Sequence, residues 1–174
     1  MEREITCCFT GHRPNHLPWG SDETDLRCVQ LKERLALEIE LAYHQGYRRF
    51  ICGMARGVDL MAGELVVKSR DVNSGIILEA AIPCKDQTRG WPDADRYRYE
   101  TLLAQCDIVP DFLAKRTPQS MLQRNLYMVS RSSRVIAVYD GVSSGGTKNT
   151  LLMAQKEQCE IIFIDPEHPT EGKK

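Results

Sequence analysis

Ile76-Ile77-Leu78-Glu79-Ala80-Ala81-Ile82 is the stretch whose reading decides the fold. It is apolar along most of its length rather than at every second position. A strand covered on one face alternates; a strand covered on both faces, as in a parallel sheet, does not. Pro83 closes it, and Asn73-Ser74-Gly75 separates it from what comes before.

The flanking chain repeats the theme. Upstream, a first strand is predicted over Glu4 to Thr10 and a second over Arg48 to Cys52. Between them Cys28, Leu31, Leu35, Ile39 and Ala42 recur at spacings of three and four, a helix that Gly46 stops. A second helix after Gly57 would turn Val58, Met61, Ala62 and Leu65 to the sheet. Downstream, a helix over Asp93 to Cys106 carries Tyr99, Leu102, Leu103 and Cys106 inward, and a brief strand is expected at Asp107 to Val109. Thr117-Pro118 caps a helix over Gln119 to Ser132. The strand Arg134 to Tyr139, a helix ending near Gln158 and a last strand, Glu160 to Ile164, complete the series. Strands alternating with helices are βαβ units, whose right-handed crossovers place parallel strands side by side. The expected fold is α/β: a single-domain, Rossmann-like, doubly wound and mainly parallel sheet with helices on both faces, over residues 1–165. A polar C-terminal tail, 166–174, follows.

Composition agrees with that reading and removes several classes of function. The 174 residues are 42% hydrophobic and 27% charged, an ordinary globular balance for one domain. A net charge of -1 is too small for a protein that lives mainly by displacing counterions from nucleic acid. The N-terminus lacks the apolar stretch of a signal peptide and no run is long enough to span a bilayer, so a cytoplasmic protein is expected, away from membranes. The seven cysteines form no C-x-x-C pair and read as buried thiols.

In an open parallel sheet ligands bind outside the carboxyl ends of the strands. Four loops therefore matter: Thr10-Gly11-His12-Arg13-Pro14; Gly53-Met54-Ala55-Arg56-Gly57-Val58-Asp59; Pro83-Cys84-Lys85-Asp86-Gln87; and Asp140 to Thr147 with Gly145-Gly146-Thr147. Glycines at a strand-to-helix turn admit a phosphate to the backbone N–H groups and positive end of the helix; they also serve tight turns and close packing. Neither glycine loop is a G-x-x-x-x-G-K-[ST] or a G-x-G-x-x-G motif, which counts against ATP hydrolysis and nicotinamide chemistry. Arg13 and Arg124 are candidate cations for phosphate or carboxylate. His12 can donate to a phosphate or stack on a base, or else tie down its own loop. Asp59 can accept from ribose hydroxyls, or simply place negative charge in the first turn of a helix. Trp91 and Tyr99 offer aromatic faces for a base, although Tyr99 lies on a core-facing stripe. His12 and His16 flank Pro14, which argues against a shared metal. Neither a metal nor a cofactor is expected.

Taken together and in order, Thr10-Gly11-His12-Arg13-Pro14, Gly53-Met54-Ala55-Arg56-Gly57-Val58-Asp59 with Glu64, Arg124-Asn125-x-Tyr127-Met128 and Gly145-Gly146-Thr147 resemble the bacterial YpsA-like proteins of the SLOG superfamily. That superfamily also holds the DNA-processing protein DprA and the LOG phosphoribohydrolases. The resemblance implies a nucleotide or nucleotide-derived ligand with its phosphate on the loop before the last helix, and a homodimer. Against the LOG pattern, Arg124 and Met128 match R-K-x-x-M with Asn125 in place of lysine. The P-G-G-x-G-T-x-E motif is only partly kept, and Asn149 stands where its carboxylate would be. The leading expectation is a binding protein or sensor using Gly11, His12, Arg13, Gly53, Met54, Ala55, Gly57, Asp59, Asn125, Asp140, Gly145, Gly146 and Thr147. The alternative is a nucleotide N-glycosidase in which Arg124 orients phosphate and Glu64 is the acid. A protein-interaction module or a single-strand DNA binder ranks third, and DNA is not expected as a partner.

Overall fold

The computed structural model describes residues 2–110, 116–142 and 144–171. Ser143 and residues 172–174, parts of the expected phosphate loop and tail, lie outside the described residues. The elements run β1 (Thr6–Gly11), α1 (Leu26–His44), β2 (Arg49–Cys52), α2 (Val58–Arg70), β3 (Ile77–Ala80), α3 (Asp93–Leu103), α4 (Pro118–Ser130), β4 (Arg134–Val138), α5 (Gly146–Lys156) and β5 (Glu160–Ile164).

Two of the helices, α1 and α4, begin where a side chain satisfies a first-turn N–H. Asp25 accepts from the Arg27 N–H at 2.8 Å, so α1 starts after the Ser21–Thr24 cluster. At α4, Thr117 and Ser120 form a reciprocal capping box and Pro118 occupies the first turn, where its missing N–H costs nothing. Gly46, at φ +99°, ends α1 in a conformation side chains resist.

The five strands are all parallel, in the order β3-β2-β1-β4-β5. The chain steps outward from β1 to β3, crosses back through α3 and α4, and resumes beside β1 at β4. Strand side chains alternate between two cores. Cys7, Phe9, Phe50, Cys52 and Leu78 pack with α1 and α2, whereas Cys8, Ile51, Val135 and Ala137 pack with α4 and α5. The predicted stripe Cys28, Leu31, Leu35, Ile39 and Ala42 is entirely buried.

Two expectations for the sheet change. The brief strand at Asp107 to Val109 shrinks to one bridge, Ile108 to Glu79, because Pro110 follows and offers no N–H to extend a ladder. The decisive run is shorter than read, Ile77–Ala80, and lies at the sheet edge with Ile77 37% exposed. Its charged residue, Glu79, is fully buried; it accepts from Arg49 Nε at 2.6 Å and from Tyr127 Oη at 2.5 Å. Burial, helped by that acceptor, pushes the Tyr127 hydroxyl up to about 12. Past β5 the chain turns, and Glu167 pairs with Arg27 at 2.9 Å.

Candidate functional site

β1 and β4 are neighbours whose connections leave in opposite directions, which opens a crevice at their carboxyl ends. A cavity of about 410 Å³ occupies it. One wall is Gly11, at the end of β1, with His12, Arg13, Asn15 and His16 from the loop after it. The facing wall is Ser144, Gly145, Gly146 and Thr147 at the start of α5. Ala55 comes from the β2–α2 turn, Asp59 from the first turn of α2, and Arg124, Asn125 and Met128 from α4.

The glycines around this cavity are of two kinds. A Cβ on Gly11 would meet Val58 at 2.5 Å, and one on Gly57 would meet the His12 carbonyl at 2.6 Å; Gly57 also sits at φ +87°. A Cβ on Gly53 would run into the Arg124 guanidinium and the Asp59 carboxylate. These three bring the two loops and α4 into contact. On Gly145, itself at φ +124°, or on Gly146 a Cβ would meet nothing within 4 Å among the described residues.

Arg124 is only 6% exposed. Its Nη1 donates to the Gly53 carbonyl and its Nε donates to Asn125 Oδ1 at 2.8 Å. Gln87, from the loop after β3, braces the same turn by donating from Nε2 to the carbonyls of Gly53 (3.1 Å) and Met54 (2.9 Å). Met54 itself is buried at φ 57°, a conformation non-glycine residues seldom adopt. Asp59 Oδ2 accepts the Ala55 N–H at 3.3 Å and lies 3.9 Å from Arg124 Nη1. Burial raises the Asp59 carboxyl above its ordinary range, with Arg124, the Ala55 N–H and Arg13 pulling the other way. Burial also lowers the Arg124 guanidinium, against the pull of Asp59.

His12 joins the two glycine loops. Its Nε2 accepts the Asp140 N–H at 3.3 Å and lies 3.4 Å from Asp140 Oδ1, and its ring packs against Tyr139 and His16. Burial lowers its pKa, with Asp140 opposing and His16 reinforcing, so the imidazole is neutral near pH 7. At α5, Gly145 supplies no side-chain cap, and among the described residues the first N–H bonded back into the helix is that of Asn149, to the Gly145 carbonyl. The N–H groups of the opening turn are therefore available to an anion beside the cavity.

The structure thus brings Gly11, His12, Arg13, Ala55, Asp59, Arg124, Asn125, Gly145, Gly146 and Thr147 to one cavity. Gly53, Met54, Gly57 and Asp140 stand behind its lining. Glu64 is elsewhere: on the α3 side of α2, it is gripped by Arg98 at 2.5 and 2.6 Å, and Arg98 also binds Glu23. Trp91 and Tyr99 pack edge to face, 5.7 Å apart, against the α1–α2 core and do not cover the cavity. Sequence reasoning missed Asn15, His16 as cavity lining, and Gln87 as a brace. Proximity to Gly11–Arg13 was the available signal for the first two; nothing local marks Gln87. Among the described residues no His, Cys, Asp and Glu group could hold a metal, and no helix is long and apolar enough to cross a membrane.

The profile of the YspA SLOG family matches residues 7–168. The chain belongs to that family. The SLOG chain is 28% identical to a UPF0398 protein of Bacillus thuringiensis (strain Al Hakam) over 152 residues, 85% of this chain and 81% of that protein. It is also 28% identical to a UPF0398 protein of Halalkalibacterium halodurans over 143 residues, 78% and 75% of the two chains. Its fold is shared with DprA of Streptococcus pneumoniae, at a TM-score of 0.62 and 15% identity, over 94% of this chain and 51% of that one; the SLOG chain thus spans about half of the pneumococcal protein. DprA of Helicobacter pylori, whose structure concerns its single-stranded DNA binding mode, matches at 0.59 and 18% identity over 98% of this chain and 69% of that one.

Proposed function

We propose that this SLOG protein binds a nucleotide or nucleotide-derived ligand in the crevice between β1 and β4, with a phosphate on the first turn of α5. The observation that carries the reading is the pairing of a helix start without a side-chain cap with Gly146, whose missing side chain meets open space among the described residues. Phosphate needs that space and those N–H groups. The buried guanidinium of Arg124, from α4, supplies a second donor group to the same cavity. At about 410 Å³ the cavity lies in the lower half of the ~300–1,000 Å³ typical of small-molecule sites.

Thermal unfolding with a panel of nucleoside monophosphates and diphosphates, ADP-ribose, NAD and cyclic dinucleotides tests the reading. A ligand at 100 times its Kd adds about 2.7 kcal/mol, which in a chain of this size moves Tm by roughly 5–10 °C. Gly146→Val should erase that shift while leaving the unliganded Tm in place. Indifference of the wild type to the whole panel would refute the proposal.

The N-glycosidase alternative loses the acid assigned to it, because Glu64 is committed to Arg98 outside the cavity. Single-strand DNA binding gains support from the Helicobacter pylori DprA neighbour, so the expectation that DNA is not a partner is weakened. Fluorescence anisotropy with a labelled oligothymidylate separates the readings. Binding that weakens steeply between 50 and 200 mM salt would favour DNA, and no binding would favour the small ligand.

A further inference from the structure

Arg124 is a buried cation whose ion pair is left half made. Its hydrogen bonds go to a backbone carbonyl and an amide oxygen, and neither carries charge. Asp59 stops at 3.9 Å, beyond hydrogen-bond reach, and itself takes one N–H, from Ala55 at 3.3 Å. Both side chains are more than nine-tenths buried, both line the cavity, and Asp59 is the only carboxylate on that lining among the described residues. Two buried ions held this way have hydrogen bonds but lack the close opposite charge that ordinarily offsets burial.

Resting on the nucleotide reading above, we propose that the ligand carries two anionic groups, one on the first turn of α5 and one on Arg124, and that the second displaces Asp59 as the arginine's counterion. Asp59 then sits between an incoming negative charge and the cavity wall, where it takes up a proton from solvent and remains as the neutral acid. No bond to the ligand is made or broken. The site accordingly prefers a nucleoside diphosphate to a monophosphate, and binds it more tightly as pH falls. The charged and titratable groups facing Asp59 are Arg124 from α4, Arg13 from the loop after β1, and the thiols of Cys52 and Cys8 beneath it. The other titrating centre of the cavity is His12 with Asp140 and His16.

Calorimetric titration with AMP and ADP, in two buffers of different ionisation heat at each of several pH values, tests this by counting protons. The wild type should bind ADP more tightly than AMP and take up a proton with ADP, its Kd rising by up to about tenfold per pH unit above the Asp59 titration. Asp59→Asn should bind ADP about tenfold or more tightly, with the proton count and pH slope lowered by the share of Asp59, since one opposite charge at this range is worth at least that much. A His12→Asn control should keep the slope that Asp59 imposes. Arg124→Gln should reduce ADP affinity to the AMP level. Wild-type ADP binding without proton uptake, or weaker ADP binding by folded Asp59→Asn, would overturn the proposal while sparing the nucleotide reading. Failure of both proteins to bind AMP, ADP or any member of the wider panel would sink both. Should Asp59→Asn not fold, the wild-type proton count alone decides.

Discussion

Two glycine loops flank the same cavity and use glycine for opposite reasons. In Gly53-Met54-Ala55-Arg56-Gly57, the missing side chains let protein meet protein: Arg124 lies where a Gly53 side chain would be, and the His12 carbonyl where a Gly57 side chain would be. In Gly145-Gly146, Gly145 is also held at positive φ, +124°, but the missing side chain of Gly146 meets only open space among the described residues. The first loop is a piece of packing that shapes and braces one wall. The second is a helix start left uncovered, with its N–H groups unspent. Glycine content alone does not distinguish a ligand cradle from a structural joint; what the absent Cβ would touch does.

That contrast can be broken by substitution. Gly57→Ala should do the most damage, about 3 kcal/mol in urea unfolding, because it adds a Cβ both at positive φ and against a carbonyl. Gly53→Ala should cost about 2 kcal/mol and also weaken ligand binding, since Arg124 must give way. If either is tolerated without loss, the packing half of the comparison is wrong.

The tie between the loops is testable through pH. His12 has a folded-state pKa below its unfolded value, so the unfolded chain binds the extra proton. Stability contributed by the neutral ring is present above about pH 6.5 and is lost as pH falls from there toward the folded-state value. Urea midpoints between pH 7.5 and 5 should fall more for the wild type than for His12→Asn. Gly146→Ala should have the smallest effect on folding, within about 1 kcal/mol and in the stabilising direction, because alanine favours helix and nothing is displaced. A large loss there would mean that Gly146 serves the fold after all.

Much of this architecture was readable from the chain. Hydrophobic spacing is a local property, so the stripe from Cys28 to Ala42 and the run around Leu78 named their elements correctly, and Thr117-Pro118 announced α4 through capping chemistry that needs only neighbours. The edge position of β3 and the loss of the strand at Asp107 were not readable, because ladder length depends on which partner strand arrives. The site divides the same way. Asp59 and Glu64 are both acidic residues on α2, but five residues carry the chain about 140° around the helix. Which of them faces the cavity is set by how α2 lies on the sheet and by Arg98 and Arg124 reaching in from α3 and α4.

What the sequence determined by itself was the kind of each element and the chemistry available at each strand end, because both follow from residue type and short-range spacing. What only the tertiary structure decided was which of those ends meet. The return from β3 to β4 places residues near 12, 59, 124 and 146 around one cavity, turns Glu64 away, and leaves Gly146 facing open space. Long-range strand order is fixed by the packing of whole faces, and no local pattern encodes it.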